Sequence, residues 1–302
     1  MKYQYFWQSR PHPGETLLEK LEEMKMGPKE FALRAGKPEK TIIAVLKGES
    51  SITADMAVQF ENITRIPADF WMNHQRSYDE FIARKKREAV IRQATPWAKQ
   101  FPLDAMMQKG WLPQVKTIKE KTMEMLSFFG FSNHKAWEEY YFKQQLKVAF
   151  RISLAQTKDP HAISAWLRQG EIQAAKLLST EYSEKKFKEA LPRLKLMREN
   201  LPPDYINQLQ SICLEAGVKV VFTPFLPNAP INGSTRWLSS TPLIQLTDSY
   251  TETDIFWFTF FHEAGHILLH GKKDIFLENL EYSDKDMQKE KEADLFAEKW
   301  MG

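Results

Sequence analysis

Apolar residues recur at helical spacing in five short stretches near the start of the chain, between residues 14 and 87. In the first stretch Leu17 and Leu21 fall on one face of a helix, because residues four apart are neighbours there. Proline and glycine separate the stretches. Pro28 suits the first position of a helix, and Gly36 suits the position after its end. The pattern predicts a bundle of five short helices.

The pattern changes further along the chain. Residues 88–216 remain amphipathic, as in Ala162–Leu178, and carry aromatic clusters but no recognisable catalytic motif. We expect this region to be helical and to join or regulate the two ends. After residue 217, β-branched residues and turn signals predict three strands, Val218–Phe222, Ser234–Leu238 and Leu243–Leu246. The expected fold class is therefore mainly α (α+β), with a small sheet near the C-terminus.

A later stretch, Thr253–Gly271, is apolar on nearly all sides. A helix with this pattern is buried, so we expect it to cross the centre of a domain. Asp254 is the predicted N-cap, because its side-chain oxygen can accept a backbone N–H, and Gly271 suits the end of the helix.

This helix carries His262, Glu263 and His266 in the H-E-x-x-H pattern. One helical turn separates the two histidines, so both imidazoles can bind a single Zn²⁺. Glu263 lies about 100° round the helix from His262, where its carboxylate can act as a general base on water. Burying such polar groups without partners is costly, and a metal supplies a partner.

A tetrahedral zinc site needs a third protein ligand. Glu290 is the preferred candidate, because it shares an inward helix face with Ala293 and Ala297. Glu292 points about 200° away from Glu290 and is the fallback. Asp294, one turn after Glu290, could accept the free N–H of a ligating histidine and fix its tautomer.

The composition favours a folded cytoplasmic protein over a disordered, secreted or membrane-spanning one. The 302 residues are 43% hydrophobic and 13% aromatic, enough for a large core. The single cysteine, Cys213, precludes an internal disulfide and favours a reducing cytoplasm. The first residues lack the apolar segment of a signal peptide, and the longest apolar run, Ile255–Phe261, is too short to span a membrane. The net charge of +3 means that nucleic-acid binding must depend on a local patch.

The second and third predicted helices, with a glycine in the turn between them, fit a helix-turn-helix. In that motif the second helix enters the major groove, with its N-terminal residues near the base edges. We therefore expect Lys37, Lys40 and Thr41 to contact bases or phosphates of double-stranded DNA, and Lys47 to contact phosphate. Two half-sites on an operator imply a homodimer.

Four motifs in the first eighty residues resemble those of HigA-like antitoxins of the XRE-type helix-turn-helix family. They are H-P-G-E-T-L at His12–Leu17, K-T-I-I at Lys40–Ile43, G-E-S-S-I-T at Gly48–Thr53 and I-P-A-D-F-W at Ile66–Trp71. The resemblance implies a DNA-binding domain over residues 1–88 and a cognate toxin as a possible partner.

His262–His266, followed by E-x-E-A-D-x-F-A at Glu290–Ala297, resembles the ImmA/IrrE-type zinc metallopeptidase domain, a gluzincin-like fold. The resemblance implies that His262, His266 and Glu290 are zinc ligands and that Glu263 is the general base. It implies a metallopeptidase domain over residues 217–302, preceded by a helical region over residues 89–216. Known members cleave repressor-type proteins.

Three hypotheses remain open. In the first, the protein is a DNA-binding transcriptional regulator whose zinc peptidase cleaves a repressor or a partner protein. In the second, it is a HigA-like antitoxin or repressor whose metal domain senses a signal or binds a partner without proteolysis. In the third, the zinc is structural, and His270 completes a closed site of four ligands.

Overall fold

The computed structural model describes residues 10–144, 159–248, 252–271, 276–277 and 284–302. The chain divides into two compact units, Met1–Val90 and Ile91–Gly302. Helices predominate in both, and a small mixed sheet lies towards the C-terminus, so the predicted fold class is confirmed. None of the helices in the described ranges is long and apolar enough to cross a membrane.

The first unit contains the helices that the apolar spacing predicts. They are α1 (Pro13–Glu23), α2 (Pro28–Arg34), α3 (Glu39–Leu46), α4 (Ala54–Thr64) and α5 (Ala68–Ala98). α5 is longer than predicted, and its last eight residues belong to the second unit. Their apolar faces meet in one core, where Leu17, Phe31, Ile42 and Trp71 are fully buried. The turn between α2 and α3 contains Gly36 with φ +61°, a backbone conformation that favours glycine. The pair α2–α3 thus has the connectivity of a helix-turn-helix.

The H-P-G-E motif has a structural role at the start of α1. The N–H of Gly14 donates to His12 Nδ1 at 2.9 Å, and the N–H of His12 donates to Glu15 Oε1 at 3.0 Å. This reciprocal pair is a capping box with histidine as the cap. Gly14 also lies so close to α3 that a Cβ there would be 1.9 Å from the carbonyl oxygen of Val45. A glycine is therefore required where α1 and α3 meet.

The second unit begins with a helical part. Its helices are α6 (Leu103–Gln108), α7 (Ile118–Phe129), α8 (His134–Glu138), a π-helical turn (Glu139–Gln144), α9 (Pro160–Ala174), α10 (Glu184–Asn200) and α11 (Tyr205–Glu215). The aromatic clusters of this region are core residues, since Phe129, Trp137 and Tyr141 are buried together with Trp97 and Phe101. Edge-to-face contacts dominate, as between Trp97 and Trp137 with ring centroids 5.4 Å apart.

A four-stranded mixed sheet follows. Its strands are β1 (Lys219–Thr223), β2 (Gly233–Leu238), β3 (Thr241–Thr247) and β4 (Phe276–Leu277), in the order β1-β3-β2-β4. β1 pairs with β3 in parallel, whereas β2 pairs with β3 and β4 in antiparallel orientation. Three of the strands lie within one or two residues of the predicted positions. β4, with two residues, was not predicted.

Two helices complete the unit, α12 (Thr253–Leu269) and α13 (Asp284–Met301). α12 is buried in the interior, as the sequence predicts, because Trp257, Phe260 and Phe261 are fully buried. The predicted cap at Asp254 is wrong. Glu252 occupies the N-cap position without a side-chain cap bond, and Asp254 lies in the first turn, 3.5 Å from Arg198. Its charge there still interacts favourably with the helix dipole.

A buried polar network ties α9 to the sheet. The Arg236 guanidinium, 3% exposed, donates through Nη2 to the Leu167 carbonyl at 2.7 Å and to Gln245 Oε1 at 2.8 Å. Gln245 Nε2 in turn donates to the Trp166 carbonyl at 2.7 Å. A buried charge is tolerated only with such partners. The middle of α9, at Trp166 and Leu167, is therefore hydrogen-bonded to side chains of β2 and β3.

A candidate metal centre and a helix-turn-helix

The two histidines of the H-E-x-x-H pattern lie buried on the side of α12 that faces α13. His262 and His266 are 3% and 0% exposed, and their Nε2 atoms are 2.9 Å apart. Their positions one turn apart on a helix account for this convergence. Two aromatic nitrogens that point at a common place, deep in an apolar helix, form half of a typical zinc donor set.

Glu290 of α13 completes a group of three. Its Oε2 lies 3.1 Å from His262 Nε2, and its Oε1 lies 3.5 Å from His266 Nε2. One ligand atom from each residue can be chosen so that all lie within 4.8 Å of one another. In a tetrahedral site with metal–ligand bonds of about 2.0–2.1 Å, neighbouring ligand atoms are about 3.3 Å apart. The spacings between these three residues match that geometry.

The ionisation states of these side chains also suit a divalent cation. Burial opposes ionisation of Glu290, but hydrogen bonds with His262 and His266 outweigh it and lower the pKa of Glu290 to about 2. Burial lowers the pKa of His266 to about 4, although its contact with Glu290 acts in the opposite direction. At neutral pH the group therefore offers a carboxylate and a neutral imidazole from these two residues.

The remaining sequence candidates lie around this group. Asp294 Oδ1 is 2.9 Å from His262 Nδ1, the ring nitrogen that points away from Glu290. Glu292 is not in the group of three, and its Oε2 contacts His270 Nε2 at 3.1 Å. His270 Nδ1 lies 2.9 Å from His266 Nδ1. His270 is therefore on the far side of the His266 ring, so it does not form the closed four-ligand site.

The residues predicted to contact DNA have different environments. Lys40 and Lys47, at the first turn and the C-cap of α3, are exposed, and Thr41 is partly buried. Lys37 precedes α3, and its ammonium group forms an ion pair with Asp55 of α4. Lys40 and Lys47 thus present accessible positive charges on this helix, whereas Lys37 has a partner within the bundle.

Residues 213–301 match the family model described as the IrrE N-terminal-like domain, peptidase M78. Among curated proteins, none is significantly similar to the chain. Among solved structures, an addiction module antidote protein of the HigA family from Coxiella burnetii is 35% identical, over 28% of this chain and 92% of that chain, with a TM-score of 0.26. The chain joins a HigA-like region to an IrrE N-terminal-like domain.

Two further solved structures match the HigA-like region. The Pseudomonas aeruginosa antitoxin HigA with the higBA promoter is 32% identical, over 25% of this chain and 83% of that chain, with a TM-score of 0.25. The P. aeruginosa protein PA4674 in complex with its operator DNA is 32% identical, over 25% of this chain and 82% of that chain, with a TM-score of 0.24. The relation of the chain to these proteins rests on sequence identity over most of the length of each of them.

In the IrrE N-terminal-like domain, β2 approaches the Glu263 side chain closely. A Cβ at Gly233 would lie 2.7 Å from Glu263 Oε1 and 2.6 Å from Thr259 Cγ2. The hydroxyl of Thr235 donates to the Glu263 carbonyl at 2.9 Å. Sequence reasoning missed these two contacts from the strand. The glycine was the available signal, because glycine in a strand often marks a close approach of the backbone.

Proposed function

We propose that the chain is a DNA-binding transcriptional regulator with a zinc-dependent peptidase in its C-terminal domain, acting on a repressor or another partner protein. The convergence of His262, His266 and Glu290 is the observation that carries this proposal. The proposal assigns operator binding to residues 1–88, a helical regulatory role to 89–216 and peptide hydrolysis to 217–302. We expect a homodimer in the cytoplasm.

The donor set defines what each side chain would do. Zinc held by the two imidazoles and the Glu290 carboxylate would act as a Lewis acid on the scissile carbonyl and lower the pKa of water to about 7. Glu263 would take the proton from the attacking water and pass it to the leaving amine. Asp294 would accept a hydrogen bond from the N–H at Nδ1 of His262 and keep Nε2 directed at the ion.

Two measurements on the whole chain test this proposal. The first is its zinc content, and the second is its rate of cleavage of candidate repressor proteins. The variant Glu263→Gln should retain zinc, because Glu263 is not in the group of three, but its cleavage rate should fall by about 10²–10⁴. Glu298→Gln, which removes a charge from an exposed position on α13, is the matched control. Equal cleavage by Glu263→Gln and the unmodified protein would exclude Glu263 as the base.

A second candidate function is a HigA-like antitoxin or repressor without proteolysis, in which the metal domain senses a signal or binds a toxin. The 35% identity to an antidote protein across 92% of that chain favours it. It predicts operator binding by a protein that contains zinc and cleaves nothing. Both functions require the helix-turn-helix to bind DNA, as the P. aeruginosa antitoxin HigA does at the higBA promoter and PA4674 does at its operator.

DNA binding is tested on α3. Lys40→Ala should weaken operator binding and reduce the dependence of log Kd on log salt by about one, because one phosphate or base contact is lost. Lys185→Ala is the control, since it removes the same charge from a side chain of α10 that is 86% exposed. If both variants bind the operator as the unmodified protein does, Lys40 makes no DNA contact.

A further inference from the structure

We propose that His270 and Glu292 form a relay that positions His266 for metal binding. The inference rests on the zinc site proposed above, and it concerns two side chains outside the group of three ligands. His270 lies at the C-cap of α12, one turn after His266, and Glu292 lies on α13. The relay therefore connects the two helices that supply the ligands.

The contacts permit one consistent placement of protons. If His266 offers Nε2 to a cation, its proton must be on Nδ1, since a neutral imidazole carries one proton. The neighbouring Nδ1 of His270, 2.9 Å away, must then be the acceptor. The proton of His270 is consequently on Nε2, which donates to Glu292 Oε2 at 3.1 Å. Each contact thus determines the tautomer of the next ring.

The relay is held at both ends. The side chain of His270 is 3% exposed, so its contact with His266 is shielded from water. Glu292 is more exposed, at 45%, but Gln288 Nε2 donates to its other oxygen, Oε1, at 3.0 Å. A hydrogen bond from a residue of its own helix thus helps to orient the Glu292 carboxylate towards His270.

The arrangement gives each ligating histidine an acceptor on the nitrogen that faces away from the cation. For His262 the acceptor is Asp294 Oδ1 at 2.9 Å. For His266 it is His270, which is supported in turn by Glu292. Such outer partners fix the ring orientation and raise the basicity of the ligand, and their loss typically weakens metal affinity 10- to 100-fold.

The relay predicts a specific order of zinc affinities among four variants, and this order differs from the one expected if His270 acted only by packing. His270→Ala removes the acceptor and should weaken zinc binding by about 10- to 100-fold. His270→Asn places a side-chain oxygen near the former Nδ1 and should recover most of the affinity, although Asn is smaller than His. Glu292→Gln keeps an oxygen acceptor at a partly exposed position and should weaken binding by a smaller factor. Glu298→Gln should leave it unchanged.

The experiment measures the zinc dissociation constant of the full chain by competition with a chromophoric chelator. Thermal unfolding of the metal-free variants, compared with the metal-free unmodified protein, reports any general loss of stability. X-ray absorption of the zinc-loaded protein counts the imidazoles bound to the metal. We expect two imidazoles, a loss of affinity in His270→Ala, and recovery in His270→Asn.

Three results would overturn the relay. Equal zinc affinity of His270→Ala and the unmodified protein would reject it while leaving the metal site intact. Weakening by His270→Ala that His270→Asn does not reverse would show that His270 acts by packing. Three imidazoles on the zinc would make His270 a ligand, as in a closed structural site. Failure of the unmodified protein to bind zinc would reject both the relay and the proposed peptidase.

Discussion

Gly14→Ala tests the close approach of α1 to α3, the helix that carries the proposed DNA contacts. The added Cβ would lie 1.9 Å from the carbonyl oxygen of Val45, whereas real Cβ contacts essentially never fall below 3.0 Å. The two backbones must therefore separate by about 1.1 Å, since neither atom belongs to a flexible side chain. Overpacking of this kind costs about 1–3 kcal/mol, and a backbone clash belongs at the upper end.

Part of this cost is offset, because alanine is favoured over glycine within helices by about 0.5–1 kcal/mol. The net destabilisation should be about 2 kcal/mol. Amide hydrogen exchange of the intact chain, read by mass spectrometry on peptides from α1 and α3, measures this local free energy. Exchange of their protected amides should become about 30-fold faster, since 1.4 kcal/mol corresponds to a factor of ten.

Gly27→Ala is the matched control. It makes the same substitution where a Cβ would meet nothing within 4 Å. Any loss of capping should be confined to α2, because Gly27 is the N-cap of that helix. If exchange in α1 and α3 is unchanged or slower in Gly14→Ala, the interpretation of their close packing is wrong. Gly14→Ala should also weaken operator binding if α3 is the helix that enters the major groove of the DNA.

Three more outcomes are expected. Burial lowers the pKa of His12 below 6.5, against the opposing charges of Asp79 and Glu15, so the unfolded chain binds a proton near pH 6.5 that the folded chain does not. Stability contributed by His12 should therefore be lost as the pH falls below 6.5, and thermal unfolding of His12→Asn should depend less on pH over this range. Gly170→Ala would place a Cβ 2.0 Å from Gln245 Oε1 and should lower the melting temperature; an unchanged value would mean that the buried network adapts easily. Chelation of bound metal should accelerate exchange in α12 and α13 but not in α1–α4, and uniform acceleration would contradict a local site.

The sequence predicted those features that depend on residues close together in the chain. The spacing of His262 and His266 within one helix determines their convergence, and the inward face shared by Glu290, Ala293 and Ala297 indicated the third member of the group. Ala293 and Ala297 are indeed fully buried. The positions of β1, β2 and β3 followed from β-branched content and turn signals, and β2 pairs with β3, the next strand along the chain.

Apart from the approach of Glu290 to the two histidines, the long-range contacts described above were not predicted. Nothing in the pattern around Arg236 indicates that its guanidinium is buried against a backbone carbonyl 69 residues earlier in the chain. His270 was considered as a fourth ligand, because helical spacing places it near His266 but does not specify which ring nitrogen it meets. Glu292 was the fallback ligand for the same reason, since its partner is decided by how α12 and α13 pack. In each case the missing information was the relative position of two elements.

The hydrogen bonds of Arg236 and Gln245 to α9 have a consequence for dividing the chain into fragments. A fragment starting at residue 213, where the family match begins, would lack the Trp166 and Leu167 carbonyls that accept from Gln245 and Arg236. It would also expose Val221 and Leu243, which pack against Ala174 of α9. Both losses lower the free energy of unfolding of the fragment, because a hydrogen bond to a charged group contributes about 1.5–3 kcal/mol and buried apolar area contributes further. Recombinant production of the second unit should therefore start near Ile91, so that α9 is expressed together with the sheet that it contacts.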